Sequence, residues 1–426
     1  MTPFLLILSV LTPWVIAAAP PDTLTLDEAR DAARKHNPIG EQNQLHRQIT
    51  DHNLQNLDSD WYPELSLHGS AQYQSDVTEV DIEAPVPGAD IDIPTQPHDR
   101  YEIGLHLNQR IYDGGITQNR RQVEERKRDA RLQEIEVNQH QLRERVESAY
   151  FSVLQLRAQQ SSLDLLKEDL ETRIAETETA RREGAVPGSA VDQLSAELIE
   201  LRQNRMVLES RERAALKALS ELIVTPLDEH TELILPEIDT DEVDLLFDDR
   251  PEIALFEAQK EQFESQRGMA SSALRPNVSA FGQAAYGRPG LNLFEDEFQP
   301  WFIIGIRARW SFWDWGDQNR QQQTLSLQQQ ILNTRKDEFL RSMRAAGHEE
   351  LEEIERLHNA MELDEELIEL RGRVLREAES RMDHGAITAT EYLNKLNDRH
   401  RAELSRRRHE IELAKVYVKI TTRMNR

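Results

Sequence analysis

Cysteine is absent from the 426 residues, which excludes disulfides, thiolate metal ligands, a cysteine nucleophile and a lipid anchor on an amino-terminal cysteine. A basic excess is absent too. With 77 acidic residues against 51 basic the chain carries −26, so a nucleic-acid footprint is not expected. Glycine and proline number only 17 each, which argues for ordered, polar helices over low-complexity disorder. The mean hydropathy of −0.66 leaves too little apolar mass to fill the two or three compact cores that the length would allow, and elongated helices fit better. Enzyme signatures are missing as well: there is no Gly-Lys-Ser/Thr phosphate loop and no Gly-x-Ser-x-Gly elbow, while His348-Glu349-Glu350 and His409-Glu410 lack the second histidine of a zinc-protease helix. The 13 histidines are scattered, so neither a metal nor another cofactor is expected, and Arg406-Arg407-Arg408-His409 reads as a solvated helix face.

One apolar run is present. Residues 4–16 are followed by Ala17-Ala18-Ala19 and Pro20-Pro21, the core and small-residue cleavage site of a secretory signal. Residues 1–18 are therefore read as a signal peptide, although Met1-Thr2-Pro3 supplies no basic side chain. The run is shorter than the ~20 residues a spanning helix needs. Any stay in a membrane after export must then use β-strands closed into a barrel.

The chain repeats itself. Pro38 and Pro251, Pro63 and Pro276, Gly69 and Gly282, and Tyr73 and Tyr286 lie 213 apart; Tyr112-Asp113-Gly114-Gly115 and Trp313-Asp314-Trp315-Gly316 lie 201 apart, as do Gly184-Ala185 and Gly385-Ala386. The first repeat, 19–224, thus carries a loop 12 residues longer, within residues 76–99, with seven acids and four prolines. A 25-residue acidic linker, 225–249, with ten acids, precedes the second repeat at 250–426 and is expected on the surface at mid-height. Loop and linker hold 17 of the 26 excess negative charges, so most of the acidity lies outside the long helices.

Around the loop the pattern has period two. Leu65, Leu67, Gly69, Ala71 and Tyr73 alternate with polar residues, as do Tyr101, Ile103, Leu105 and Leu107, then residues 278–286, then Phe302, Ile304, Ile306, Ala308, Trp310 and Phe312. Four strands follow, each with one oily and one wet face, and Trp301, Trp310, Trp313 and Trp315 resemble an aromatic girdle. The bland alternative is a soluble hairpin packed on helices. Residues 117–183 run 67 positions without proline, on the order of 100 Å of helix. Within them Leu142, Val146, Ala149, Val153, Leu156, Leu163 and Leu170 form a 4-3-4-3 seam with a polar gap at Gln160. Its counterpart, 317–384, carries Ile354, Met361, Ile368 and Leu375 at sevens. Returning helices are expected over 189–222 and 388–422, and shorter ones over 38–61 and 251–273.

Four strands cannot close a barrel, and an open edge in lipid strands backbone donors and acceptors. The chain must share its wall with copies of itself, and a polar inner face makes the closed object a pore. The double order of these motifs resembles the TolC-type outer-membrane channel family over nearly all of the mature chain. The resemblance implies a mainly α fold with long antiparallel helices forming an α-barrel, and four strands per chain in a trimeric 12-stranded β-barrel. It also implies a homotrimer in the outer membrane of a Gram-negative bacterium, surrounded by outer-membrane lipid. Such a channel is the passive exit duct of a tripartite efflux or type I secretion system, meeting a periplasmic adaptor and an inner-membrane transporter. The periplasmic entrance constriction then falls on Glu391, Asn394 and Ala190, where the family usually has acids at the latter two. Thr388-Ala389-Thr390-Glu391 is also a capping box, so Glu391 has a capping role open to it alongside the ring. Adaptor docking falls on the turns bearing Arg182, Gly184, Val186, Pro187, His384, Gly385 and Ile387. The competing class is a soluble periplasmic coiled-coil scaffold.

Overall fold

A computed structural model describes residues 20–78, 96–238, 245–293 and 295–425. The signal segment, most of the acidic loop and the middle of the linker lie outside the described residues. The chain divides into two compact units. The first holds residues 1–42, 134–254 and 337–426, and the second holds 43–133 and 255–336.

The second unit contains a four-stranded antiparallel sheet in the order β2 (Glu64–Tyr73), β3 (Asp99–Tyr112), β5 (Asn277–Arg288) and β6 (Gln299–Arg309). Helices α2 (Gln42–Ser59) and α5 (Pro251–Ser272) lead into its two hairpins. The registers carry the internal repeat. Glu64 stands opposite Asn108 and Asn277 opposite Arg309, so β2–β3 becomes β5–β6 when the first strand moves by 213 and the second by 201. Cross-strand packing repeats with it. Gly104 lies under the ring of His68 and Gly305 under the ring of Phe281, where an added Cβ would come within 2.8 and 2.6 Å; an aromatic ring shields the backbone that the glycine leaves bare. Gln109 donates to the Trp61 carbonyl at 2.8 Å, and Trp310 to the Leu274 carbonyl at 3.0 Å.

Two helices of 67 residues, α3 (Ile116–Arg182) and α6 (Asp317–Asp383), follow the hairpins, and each turns back into a shorter one, α4 (Gly188–Ile223) and α7 (Ala389–Arg423). Within the first unit the expected seam is buried: Leu142, Val146, Val153 and Leu170 are core residues, with Ala149 and Leu163 packed against them. The polar gap at Gln160 is filled, because its amide donates to Glu212 at 2.8 Å, and Arg157 holds the other carboxylate oxygen at 2.7 Å.

Two elements were not legible as elements. Helix α1 (Leu26–His36) opens with a capping box in which Thr25 and Glu28 satisfy each other's backbone, and it buries Leu26, Ala29 and Ala33. Its lead-in, β1 (Thr23–Leu24), pairs in parallel with β4 (Glu232–Leu233) of the linker. The Tyr150 hydroxyl lies 2.7 Å from both the Leu24 and the Ile234 carbonyl, tying the ladder to α3. The linker is therefore not wholly a surface connection. Thr231, Leu233 and Phe247 are buried, and Leu227, Leu235 and Leu245 pack partly buried against the helices, while Glu229, Glu232 and Glu237 are exposed.

Candidate functional site

Residues paired across strands share a face, so the registers assign the faces of the sheet. Leu65 and Leu67 oppose Leu107 and Leu105, Ile103 opposes Tyr286, and Ala284 and Ala280 oppose Phe302 and Ile306. This apolar face is bare: Leu65, Leu67, Ile103, Phe302, Ile304 and Ile306 are exposed, Ile304 to 79%. The other face bears Ser66, His68, Ser70, Glu102, His106, Gln283 and Arg307. There His68 and Glu102 meet at 2.7 Å, and the His68 and His106 rings lie 3.9 Å apart.

Aromatics border the apolar face at both ends. Trp310, Phe312, Trp313 and Trp315 are exposed beside the strand exits, and at the far end Tyr286 stacks on Phe298 at 5.6 Å, with Tyr101 beside it and Tyr73 exposed. Of the far belt the sequence reading named only Trp301, which pairs with Ala285 and so lies on the other face. From Phe302 to Trp310 is about 27 Å of strand at ~3.3–3.4 Å per residue, comparable with the ~25 Å apolar band of membrane barrels. The outer sides of β2 and β6 pair with no strand among the described residues. No described helix is long and apolar enough to cross a membrane.

The helical hairpin tips belong to the first unit. Both turns are closed by the same hydrogen-bond pair: Ala185 N–H reaches the Ala180 carbonyl at 2.9 Å and Ala386 N–H the Arg381 carbonyl at 2.8 Å, with Gly184 and Gly385 at φ of 79° and 68°. This is the glycine helix stop, where a left-handed residue lets the last carbonyls be satisfied. Arg182, Gly184, Pro187, His384 and Gly385 are exposed, and Val186 and Ile387 half-buried. Thr388 and Glu391 form the capping box of α7, each accepting the other's backbone N–H at 3.2 Å. Glu391 and Asn394 are exposed and share a cleft of about 280 Å³ with Val374, Ile387 and Lys395. Ala190 lies apart from them, 7% exposed, in a core with Leu166, Leu194 and Leu396.

Between the two hairpins runs a set of polar contacts that the sequence reading missed. Arg173 of α3 reaches Asp383 at 2.8 Å and Glu176 at 3.0 Å, and lies 4.9 Å over the Tyr392 ring. Burial works to lower its pKa, but the two carboxylates outweigh it and the net shift is upward. Burial pushes the Tyr392 phenol up to about 12. His400 meets Asp169 at 2.9 Å, Thr390 donates to Gln193 at 3.1 Å, and Asn397 to Glu197 at 3.1 Å. No local pattern marked Arg173, which lies off the 4-3 spacing of the seam that runs through Leu163 and Leu170. Among the described residues no group of three or more metal-type side chains converges.

Residues 30–223 match the model of the outer membrane efflux protein family. No curated protein sequence matches the chain. Solved structures do. The CmeC outer membrane channel of Campylobacter jejuni superposes with a TM-score of 0.67 at 16% identity, over 94% of this chain and 85% of that one. CusC, whose structures describe folding and transmembrane channel formation, gives 0.71 at 14% over 96% and 95%. The open-state MtrE outer membrane channel of Neisseria gonorrhoeae gives 0.67 at 17% over 94% and 88%.

Proposed function

We propose that this chain, an outer membrane efflux protein by its first repeat and a TolC-type channel by its fold, is the passive outer-membrane exit duct of a homotrimeric assembly. The observation that carries the reading is the sheet: one bare apolar face between two aromatic belts, one polar face, and two open edges. A soluble scaffold has no use for such a face, which would be an aggregation site in water. In lipid the face is solvated, and the edges must be paired.

The internal repeat supplies the pairing. If β6 meets β2 of the next copy as β3 meets β5 in this one, Ile306 stands opposite Ala71 of the partner subunit, as Leu105 stands opposite Ala284. Arg309 likewise stands opposite His68 of the partner subunit, as Asn108 does Phe281. Apolar then meets apolar outside and polar meets polar inside. Three copies of four strands make 12, an even number within the range of membrane barrels. The tips then face the periplasm. There Glu391 and Asn394 line the entrance, and the turns bearing Arg182, Gly184, Val186, Pro187, His384, Gly385 and Ile387 meet a periplasmic adaptor and, through it, an inner-membrane transporter.

Nothing in this role requires catalysis. The mechanism is confinement: a polar inner face keeps a water-filled path open through lipid. The test is fractionation followed by reconstitution. The expected outcome is retention in the outer membrane through a high-salt wash and discrete conductance steps in a planar bilayer. Purified chain that is monomeric and fully folded without detergent would overturn the reading.

A further inference from the structure

The two hairpins repeat a side-chain arrangement on the polar face of the sheet and change its charge. His68 and Phe281 lie 213 apart in the chain, while Gly104 and Gly305, His106 and Arg307, and Asn108 and Arg309 lie 201 apart. In the first hairpin the His68 ring covers Gly104 and lies 3.9 Å from the His106 ring. In the second the Phe281 ring covers Gly305, and the Arg307 guanidinium sits 4.8 Å over its centre. Two residues on from each glycine, on the same face of the strand, a basic side chain thus rests on the ring that the glycine admits. Where the first repeat has His106 and Asn108, the second has two arginines, which stay charged at any working pH.

The sign stands out against the rest of the molecule. The charged residues on this face of the strands are Arg100, Arg110, Arg307 and Arg309 against Glu64 and Glu102, in a chain of net charge −26. Glu102 is taken up by His68 at 2.7 Å, and Arg110 is held by Asp60 at 3.3 Å. Arg307 and Arg309 are exposed and have no carboxylate partner among the described residues. Arg110 and Arg307 both stand opposite Ser279, two strand spacings or ~10 Å apart. Three cations therefore gather at the end of the sheet where β3 and β6 give way to the long helices.

We infer that Arg307 and Arg309 form an anion-binding collar on the inner wall of the barrel, which makes this stretch of the path take solutes bearing phosphate, sulfonate or carboxylate groups. The inference rests on the channel reading above and adds what the channel holds. By threefold symmetry each arginine recurs three times at one height, and rings of arginine or lysine are a recurring way for pores to favour anions and phosphates. A guanidinium offers a planar fork of donors that matches the oxygens of such groups. Stacking on Phe281 narrows the freedom of Arg307 and leaves the donor edge of the fork open. Because the sign is opposite to that of Glu391, a polyvalent anion probes the arginines and not a ring of carboxylates.

Inorganic tripolyphosphate, added to either chamber of a planar bilayer holding channels of the full chain, is expected to block the current in a concentration- and voltage-dependent way. Arg307→Gln with Arg309→Gln is expected to raise the half-blocking concentration by about tenfold or more, the scale of one lost charge-assisted hydrogen bond. Arg307→Lys with Arg309→Lys keeps the charge and is expected to stay within about threefold of wild type. Channels that conduct and ignore tripolyphosphate, or a glutamine pair blocked as tightly as wild type, would sink the collar and leave the channel reading standing. If the lysine pair loses block as fully as the glutamine pair, the loss comes from altered packing on Phe281, and the collar falls as well. A wild-type chain that never conducts removes the channel reading and the collar with it.

Discussion

The two strand-to-helix joints follow one plan and end in different residues. After β3, the Asp113 carboxylate accepts the N–H groups of Gly115 at 2.8 Å and Thr117 at 2.6 Å; after β6, Asp314 accepts those of Gly316 at 2.9 Å and Gln318 at 2.7 Å. Both carboxylates cap a 67-residue helix, and both joints pass through two successive left-handed residues, Gly114-Gly115 and Trp315-Gly316. The difference lies in what stands alongside. A Cβ at Gly114 would meet the Arg275 Cβ at 2.6 Å, because the entry to β5 runs past it. Trp315 is exposed at the free edge. In the proposed assembly its neighbour, by the repeat, would be Tyr62-Pro63 of the partner subunit, so the first joint is shaped by a strand in the same chain and the second would be shaped by one in another.

The largest effect is expected from making the first joint resemble the second. Gly114→Trp drives a side chain into Arg275 and Pro276, and both overpacking and the left-handed backbone count against it, at ~1–3 kcal/mol each. Little assembled channel is expected in the outer membrane. The reverse exchange, Trp315→Gly, relieves the left-handed penalty and leaves one chain foldable. It removes an aromatic from the edge, so the loss is expected in trimer stability on heating in detergent and not in helix content.

Removing the carboxylates comes next. Asp113 is buried and Asp314 half-buried, and loss of an N-cap side chain costs ~0.5–2 kcal/mol, so Asp113→Ala is expected at the upper end and Asp314→Ala lower, read as shifts in unfolding midpoint. Burial works to raise the Asp113 pKa, but hydrogen bonds from Thr117 and Gly115 bring the net value down. A depressed native pKa means its contribution is complete above the ordinary carboxylate value, near pH 4, and fades as pH falls through the lower native one. The stability gap between wild type and Asp113→Asn should therefore be flat from pH 8 to about 5 and narrow only in acid. A gap that closes near neutrality would remove the capping account.

The joints also mark what sequence allows one to read. Aspartate followed by glycine after an alternating run, twice and 201 apart, is a local signal, and the strands, long helices and turns are all of that kind. Contacts between distant segments are not. Parallel β1–β4 has two residues on each side, too few to carry a period, and it exists because Tyr150 and the helix core hold it. The Thr25–Glu28 box uses the same letters as Thr388–Glu391, but it has no matching motif in the second repeat, and α1 was not read as an element. Arg173 and His400 carried no local signal, because their partners lie 206 to 231 positions away. At the site, the glycine turns and the alternating faces were legible. The burial of Ala190 was not, since it depends on how the two hairpins pack.

The smallest expected effect separates the two tips. Helix α7 starts with a full capping box at Thr388, whereas α4 starts at Pro187 with no side-chain cap, and Ala190 stands where Glu391 does. Thr388→Ala should cost ~1 kcal/mol of local helix stability, seen as faster amide exchange in the first turn of α7. Glu391 has a cap and a proposed entrance role to disentangle, since its carboxylate accepts the Thr388 N–H and the residue also lines an exposed cleft with Asn394. Glutamine keeps an oxygen for the cap and gives up the charge. Glu391→Gln is therefore expected to leave exchange in α7 near wild type while lowering cation preference in single-channel recordings, and Glu391→Ala to change both. If Gln and wild type conduct with the same selectivity and Ala alters only exchange, the residue is a helix cap. The two tips would then differ in stability alone, not in what they let through.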